Sequence, residues 1–494
     1  MAGRGGFCCG CLRLALPVFF GACKPATLRT QPRFDEIAFA RESPGIRNIN
    51  QNDNMFKTVM LKPFLPSPAM PSFSIQTTPA LRITLCCIAL LSFSLTAFLQ
   101  HAVATEPQLP TSVQWKSIRL HSVFHAEGGA CGDLNGDKIT DLIEGPLWYQ
   151  GPDFKQVHEI APTKTFPKSA YSDHFFSHVA DVNRDGASDV IAIGFPGQPA
   201  RLYINPGHDQ LSDPQQVKHW EVSNLTGPVD NESPIFMDLI EGGLPELVCG
   251  SQSRYGYFQA GPDATQPWIW HPVAREGSCP HKFVHSMGVG DVDGDGRLDV
   301  LDRTKWWRQP KSLEGDPQWE EHQWADAAYG SGGAQICVGD VDGDGDADIV
   351  TSYNAHAYGL GWFEQADDGS FTKHDLMTAS TDDFDHRVAF SQLHAVVLID
   401  MNGDKALDIV TGRRHYAHGG HDPGGKEPPV LFWFENTKTK NGLHFEPRLI
   451  DGDSGIGVEV TVDDFNGDGK PDVLSASKRG LSVHFQTTPL TIPK

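Results

Sequence analysis

The chain has 494 residues, 39% of them hydrophobic, and its 62 acidic and 40 basic side chains give a formal net charge of −22 at pH 7. That length and apolar content support a large buried core, while the acid excess excludes a nucleic-acid partner, which needs a basic face to meet phosphates. No nucleophile elbow, phosphate loop, dinucleotide fingerprint or HExxH helix occurs, so neither a nucleotide cofactor nor zinc-protease chemistry is expected.

Taken in chain order, residues 1–80 are rich in Pro, Arg and small residues without sustained periodicity. They are expected to be disordered or to precede the true start, with Met60 or Met70 as the alternative initiators. The stretch 81–104, LRITLCCIALLSFSLTAFLQHAVA, joins a positive Arg82, an apolar run from Ile83 to Leu99 and a small-residue site at Ala102-Val103-Ala104. It reads as a secretory signal cleaved after Ala104. A single-pass anchor is the alternative, but the run is marginal in length for a bilayer; lipidation at Cys23 lacks the usual aliphatic residue before it. The mature protein is therefore expected to be secreted, periplasmic or at the cell surface, with no stable membrane span after cleavage. Beyond the signal only Cys131, Cys249, Cys279 and Cys337 remain, too sparse for a disulfide framework or a cysteine metal knuckle. They are expected to be mostly buried thiols, with room for one bridge.

From residue 105 onward one motif recurs: DLNGDKITD from Asp133, DVNRDGASD from Asp181, DVDGDGRLD from Asp291, DVDGDGDAD from Asp340, DMNGDKALD from Asp400 and DFNGDGKPD from Asp464. A degenerate copy, DLIEGGLPE from Asp238 to Glu246, fills the long gap. Copies stand 48 to 64 residues apart, a length that suits a four-stranded propeller blade. A β-type run (strand a) leads into each loop and a second (strand b) leaves it. An aromatic run (strand c) follows, as in LWYQGP, RLYINPG, GYFQAGP, KWWRQP, GWFEQA, FWFENT and LSVHFQ, then an outer segment (strand d) such as QPWIWHPV or HFEPRLI. The last repeat stops after its third strand, while the chain opens with an orphan outer strand, VQWKSIRL. The expected fold of 105–494 is thus all-β, a seven-bladed β-propeller of four-stranded blades closed by the N-terminal strand, with no free sheet edge. Two separate domains or an open solenoid would leave the missing strand and the spare one unexplained.

In the pattern D-x-[DN]-x-D-G-x-x-D, oxygens at positions 1, 3, 5 and 9 can converge on one hard cation, the carbonyl of position 7 adding another ligand. Gly at position 6, where present, permits the sharp turn. Oxygen ligation at this density selects Ca²⁺ over softer metals. The expected ligands are Asp133, Asn135, Asp137 and Asp141; Asp181, Asn183, Asp185 and Asp189; and Asp291, Asp293, Asp295 and Asp299. The later copies supply Asp340, Asp342, Asp344 and Asp348; Asp400, Asn402, Asp404 and Asp408; and Asp464, Asn466, Asp468 and Asp472. The Asp238 copy is expected to bind no ion. Empty, neighbouring carboxylates would repel by several kcal/mol per pair at an effective dielectric of about 20. An EF-hand needs flanking helices and a Glu at position 12, which these copies lack.

These repeats resemble the FG-GAP/VCBS family, whose calcium-loop blades also build integrin α-subunit propellers, and the resemblance covers 115–488. The segments GPLWYQGPDFK, GFPGQPARLYINPG, HSMGVGDVDGDG, FSQLHAVVLIDMNGD and HGGHDPGGKEPPVLFWFEN look like a group of secreted bacterial propellers. The resemblance implies fold and calcium and says little about activity. LHAVVLIDMNGD is also similar to the propeller portion of aldos-2-ulose dehydratase, an enzyme that carries cupin domains with no counterpart here.

Because strand a ends at the aspartate loop, the b–c and d–a loops gather at the opposite end, roughly 20 Å away for a strand of about six residues. About six residues before each loop stand Glu127, His174, Glu232, His285, Gln335, His394 and Glu459. Strand a lines a propeller's channel, so these can form a polar ring at that mouth. The long b–c loop GRRHYAHGGHDPGGKEPP adds Arg413, Arg414, His415, His418, His421 and Asp422; His356 comes from another b–c loop, and His281 and His386 from d–a loops. Imidazole with carboxylate suits Zn²⁺, Mn²⁺ or Fe²⁺ and also acid–base work on a sugar. The alternative is that these histidines pair with carboxylates and order loops. Trp306, Trp307, Trp362, Trp433 and Tyr149 recur at one position of strand c, which favours packing between blades over a sugar platform.

Two functions follow as expectations. One is an exported calcium-binding propeller that takes a carbohydrate or protein ligand at a His-rich mouth. The other is a metal-assisted carbohydrate lyase, dehydratase or isomerase at that same mouth, with His285, His394, His415, His418, His421, Asp422 and Arg413 as the candidate catalytic groups.

Overall fold

The computed structural model describes residues 113–211, 213, 219–378, 388–439 and 442–487, all within the unit Ala104–Lys494. The expected export signal at 81–104, Cys23, Met60, Met70 and His386 lie outside the described residues.

Antiparallel meanders follow an opening strand β1 (Gln114–His121). The first is β2 (Gly129–Gly132), β3 (Asp141–Glu144), β4 (Leu147–Gln150) and β5 (Gln156–Glu159). The second is β6 (Phe176–Ala180), β7 (Asp189–Ile193), β8 (Gln198–Ile204) and β9 (Glu221–Val229). The third is β10 (Ile235–Met237), β11 (Glu246–Ser251), β12 (Arg254–Gln259) and β13 (Ile269–Pro272). Next come β14 (Met287–Gly290), β15 (Asp299–Asp302), β16 (Lys305–Arg308) and β17 (Glu320–Gln323). They are followed by β18 (Gln335–Gly339), β19 (Asp348–Ser352), β20 (Leu360–Gln365) and β21 (Phe371–Met377). The series ends with β22 (Val396–Ile399), β23 (Asp408–Gly412), β24 (Leu431–Thr439) and β25 (Gly442–Asp451), then β26 (Thr461–Asp463), β27 (Asp472–Ser477) and β28 (Gly480–Thr487).

Among the described residues these strands form five four-stranded sheets and one eight-stranded sheet, a β-propeller arrangement. The large sheet has the order β17-β16-β15-β14-β18-β19-β20-β21, two meanders joined by the parallel pairs Met287↔Gln335 and Gly288↔Ile336. Glycine is the reason: a Cβ on Gly288 would lie 2.7 Å from Ile336 Cβ, and one on Gly290 would lie 2.4 Å from Val338 Cβ. The bare face of β14 lets β18 approach to pairing distance, so two of the expected separate blades share one sheet. β1 pairs antiparallel with β28 along Gln114–His121. The last meander also meets the first, through Val458 N–H to Glu127 O at 2.7 Å and Thr461 Oγ1 to Gly129 O at 2.5 Å.

The b strands carry uninterrupted apolar runs because sheets cover both their faces. β7, β19 and β23 are buried at every position, and each Val or Ile so buried stabilises the fold by about 1.5–3 kcal/mol. The strand c aromatics pack, as expected: Trp307 and Trp433 are 1% exposed, Trp306 and Trp362 stack on His322 and His374 at 4.4 Å between ring centres, and Trp148 lies tilted against His158 at 4.5 Å. All four cysteines beyond the signal, Cys131, Cys249, Cys279 and Cys337, are free thiols.

The aspartate loops contain a clasp. The ninth residue opens strand b, is fully buried, and accepts two backbone N–H groups: for Asp408 these are Met401 at 2.9 Å, inside the loop, and Asn436 at 2.7 Å, in strand c. Asp189, Asp299 and Asp348 repeat both bonds. The residue thus held then reaches the preceding meander, Asn436 Nδ2 bonding Val341 O at 2.8 Å and Asn205 Nδ2 bonding Leu134 O at 2.8 Å. Gln309, Gln365 and Gln486 do the same to Leu239, Val292 and Met401. Asn436 Nδ2 also bonds Leu407 O at 3.1 Å, so replacing Asn436 by Leu should strand the carbonyls of Val341 and Leu407 and lower stability by about 1–3 kcal/mol; an unchanged denaturation midpoint would show that the clasp adds nothing.

Candidate functional site

In each loop the side chains curl inward around backbone N–H groups. Asp291 accepts from Asp295 N at 3.1 Å and from Gly296 N at 2.8 Å, and Asp340 accepts from Gly343 N at 2.7 Å. Left-handed backbone at two sites makes the curl: Gly294 and Gly296 have φ of 69° and 84°, and Gly343 and Gly345 have 79° and 103°. The sequence pattern points to glycine at the sixth position; the fourth is equally left-handed. Carboxylate oxygens of Asp291, Asp293 and Asp295, and those of Asp340, Asp342 and Asp344, lie within 4.8 Å of one another.

Two features differ from the expected calcium geometry. The ninth residues, Asp299 and Asp348 among them, stand outside these groups because backbone N–H groups occupy their oxygens. Burial pushes Asp299 up to about 7 and Asp141 up to about 6 even so. In the Asp291 loop, moreover, Arg308 Nε sits 2.6 Å from Asp293 Oδ2, and Arg308 and Arg297 both pair with Asp295. Guanidinium groups there place positive charge against the loop's own carboxylates.

At the other end of the strands, ligand atoms of Glu232, His285, His356 and His394 all lie within 4.8 Å of one another. Glu232 precedes β10, His285 precedes β14 and His394 precedes β22, so three of the positions read from the repeat converge. His356 arrives from the b–c loop between β19 and β20. Glu232 Oε2 is 3.3 Å from His285 Nε2 and 3.2 Å from His394 Nε2. The first separation makes no hydrogen bond, since His285 Nε2 is buried without a partner. Burial holds the His394 imidazole down at about 3 and keeps it neutral; burial and the neighbouring histidines hold His356 low as well. For Glu232, burial works toward protonation, but the two imidazoles against it, His394 hydrogen-bonded and His285 at 3.3 Å, outweigh it and keep the carboxylate ionised. Neutral imidazoles with one carboxylate are the protonation states a metal requires.

The remaining expected ring members are used elsewhere. Glu127 pairs with Arg414, both almost wholly buried. His174 pairs with Asp173 at 2.9 Å, and Gln335 accepts Val396 N–H at 2.8 Å. Glu459 accepts Ser177 N–H at 3.2 Å, and burial raises its carboxyl well above the usual range. In the long loop, His418 Nδ1 is 2.8 Å and His356 Nδ1 3.4 Å from Asp422 Oδ2. Arg413 anchors that loop through Glu427 at 2.5 Å and Pro428 O at 2.8 Å, while His415, His421 and His281 join neither cluster.

Sequence reasoning missed three residues beside the cluster. Gln392 is fully buried, and its Nε2 holds His356 O at 2.7 Å. Tyr171 presents its ring to Lys478 Nζ at 4.7 Å and to the Arg414 guanidinium at 5.7 Å. Lys478 is 2% exposed, and burial lowers its ammonium to about 8. None carries a signal except Gln392, which lies two residues before His394.

Residues 400–475 match the model of the FG-GAP-like repeat family. No curated protein matches the chain. Among solved structures it is similar to an Agrocybe aegerita lectin described as recognising non-reducing terminal N-acetylglucosamine, at 14% identity and a TM-score of 0.40, over 76% of this chain and 86% of that one. It is also similar to the Photorhabdus luminescens Tc holotoxin pore, at 14% identity and a TM-score of 0.31, over 74% of this chain and 16% of that one.

The Glu127–Arg414 pair is a structural wall of this site, and breaking one side leaves a buried charge. Arg414→Met should cost about 3–5 kcal/mol, and adding Glu127→Leu should recover much of the loss. Equal melting temperatures for the single and double variants would contradict this.

Proposed function

We propose that the chain is an exported seven-bladed propeller, the eight-stranded sheet counting as two blades and β1 completing the last. Its mouth holds a divalent transition-metal ion on Glu232, His285, His356 and His394, where an oxygen-rich ligand binds, a carbohydrate or a protein surface. One observation carries this reading: four ligand atoms from separate repeats lie within 4.8 Å. The residues fit a metal. Ligands about 2.0–2.1 Å from a tetrahedral zinc stand about 3.3–3.4 Å apart, close to the 3.2 and 3.3 Å found here between Glu232 Oε2 and the two Nε2 atoms. Zn²⁺, Mn²⁺ and Fe²⁺ all accept this nitrogen-rich set, whereas Ca²⁺ prefers oxygen. Calcium belongs to the aspartate loops at the far end, as a scaffold ion, with the Asp340 triad its best-disposed site.

A metal-assisted lyase, dehydratase or isomerase is the second reading, and the His418–Asp422 pair favours it. A bound ion would supply Lewis acidity toward a hydroxyl or carbonyl oxygen. His418, 47% exposed beside His356, can take or give a proton at Nε2 while Asp422 holds its Nδ1.

Metal analysis of purified 105–494 separates metal binding from a merely structural cluster. Wild type should carry transition metal that His285→Ala/His394→Ala lacks, with calcium content unchanged; no transition metal in either would sink the reading. Independently, chelating calcium should lower the melting temperature by several degrees, and an unchanged melting curve would refute the calcium assignment.

A further inference from the structure

The geometry points to a second cation subsite, formed by His418, Asp422 and the Nδ1 edge of His356, directly beside the first. It rests on the metal centre proposed above and enlarges it from one ion to two.

Ligand atoms of His356, His418 and Asp422 lie within 4.8 Å of one another, and His356 is common to this group and to the Glu232 group. Asp422 Oδ2 stands 3.4 Å from His356 Nδ1 and 2.8 Å from His418 Nδ1, and the two rings lie 4.5 Å apart. His356 Nδ1 is buried and makes no hydrogen bond, although a carboxylate oxygen is that near. A buried nitrogen with no proton partner is costly, and a cation would relieve the cost. An imidazole's two nitrogens flank one ring carbon and direct their lone pairs away from each other, so one ring can serve both groups through different atoms.

The surrounding backbone is arranged to hold these atoms rather than to leave them free. Tyr416 and His418 have φ of 60° and 46°, left-handed values that are sterically unfavourable for a non-glycine residue. Strain of that kind persists where neighbouring structure enforces it. Here Tyr416 N–H donates to Gly425 O at 3.0 Å and Gly425 N–H to Asp422 O at 3.0 Å, closing the loop on itself. Gln392 Nε2 spans both loops, bonding His356 O at 2.7 Å and Pro423 O at 3.5 Å. The second group therefore keeps its position relative to the first.

Proton balance gives the inference a distinct signature. A neutral imidazole has a single N–H, which remains when one cation is bound. Filling both edges of His356 requires that proton to leave for solvent, so the doubly loaded centre releases one proton more than the singly loaded one.

The test is a zinc titration of chelator-stripped 105–494 with calcium restored, followed by desalting and metal counting. Wild type should retain two zinc ions per chain, the second binding with proton release seen as a buffer-dependent heat. Asp422→Asn and His418→Ala should each retain one, and His418 is exposed enough that its loss leaves the fold intact, as circular dichroism would verify. One zinc in wild type, unchanged in both variants, would overturn the second subsite and leave Asp422 as a carboxylate that orients His356. No zinc in wild type would overturn the first centre and the second together.

Discussion

The fold depends on a buried carboxylate that ties three pieces of backbone together. At the ninth position of each loop an acid enters strand b with no exposure to water, and its oxygens take N–H groups from the loop and from strand c. Charge buried this way is expensive unless hydrogen bonds satisfy it. The bond to strand c pays back twice, because the amide it positions clasps a carbonyl of the neighbouring meander. Even the degenerate third copy keeps part of the device: Glu246 accepts Leu239 N–H at 3.1 Å and Ile240 N–H at 3.0 Å from the loop, and from strand c the side-chain Nε2 of Gln259 at 2.9 Å, while its third and fifth positions are Ile240 and Gly242. The acid of the motif thus divides into two tasks, a backbone staple at position nine and clustered loop oxygens at positions one, three and five, where calcium is proposed.

That division separates the scaffold from the site. Each loop sits where strand a ends, so the side chains that precede strand a emerge at the other end, on backbone the staples have already fixed. Glu232, His285 and His394 come together there although 53 residues divide the first two and 109 the last two. None of them contributes to the staples. The cluster's near neighbours, Arg414, Lys478 and Tyr171, add positive charge and an aromatic wall, and Glu127 neutralises only the arginine.

Much of the fold was legible because a repeat reports its own period. The Asp motifs mark every a–b hairpin, and the orphan strand VQWKSIRL lies against β28. What escaped was close approach: nothing in HSMGVG by itself says that two glycines will let β14 pair with β18. The amide clasp was visible as the Asn or Gln of RLYINPG, KWWRQP and FWFENT, yet its partner lies 70 to 95 residues away. Of the seven ring positions, three converge and four find other partners, because a shared strand position sets the end of the sheet but not the rotamer or the neighbour. His356 and Asp422 sit in long b–c loops, whose paths no periodicity describes.

The central claim is that the mouth binds a transition metal through side chains brought together by separate repeats. Anomalous diffraction at the zinc edge, from crystals of 105–494 grown with zinc and calcium, tests it most directly. The account predicts an anomalous peak about 2.0–2.2 Å from Glu232 Oε2, His285 Nε2 and His394 Nε2. A map with no peak there, or with zinc only in the aspartate loops, would contradict it.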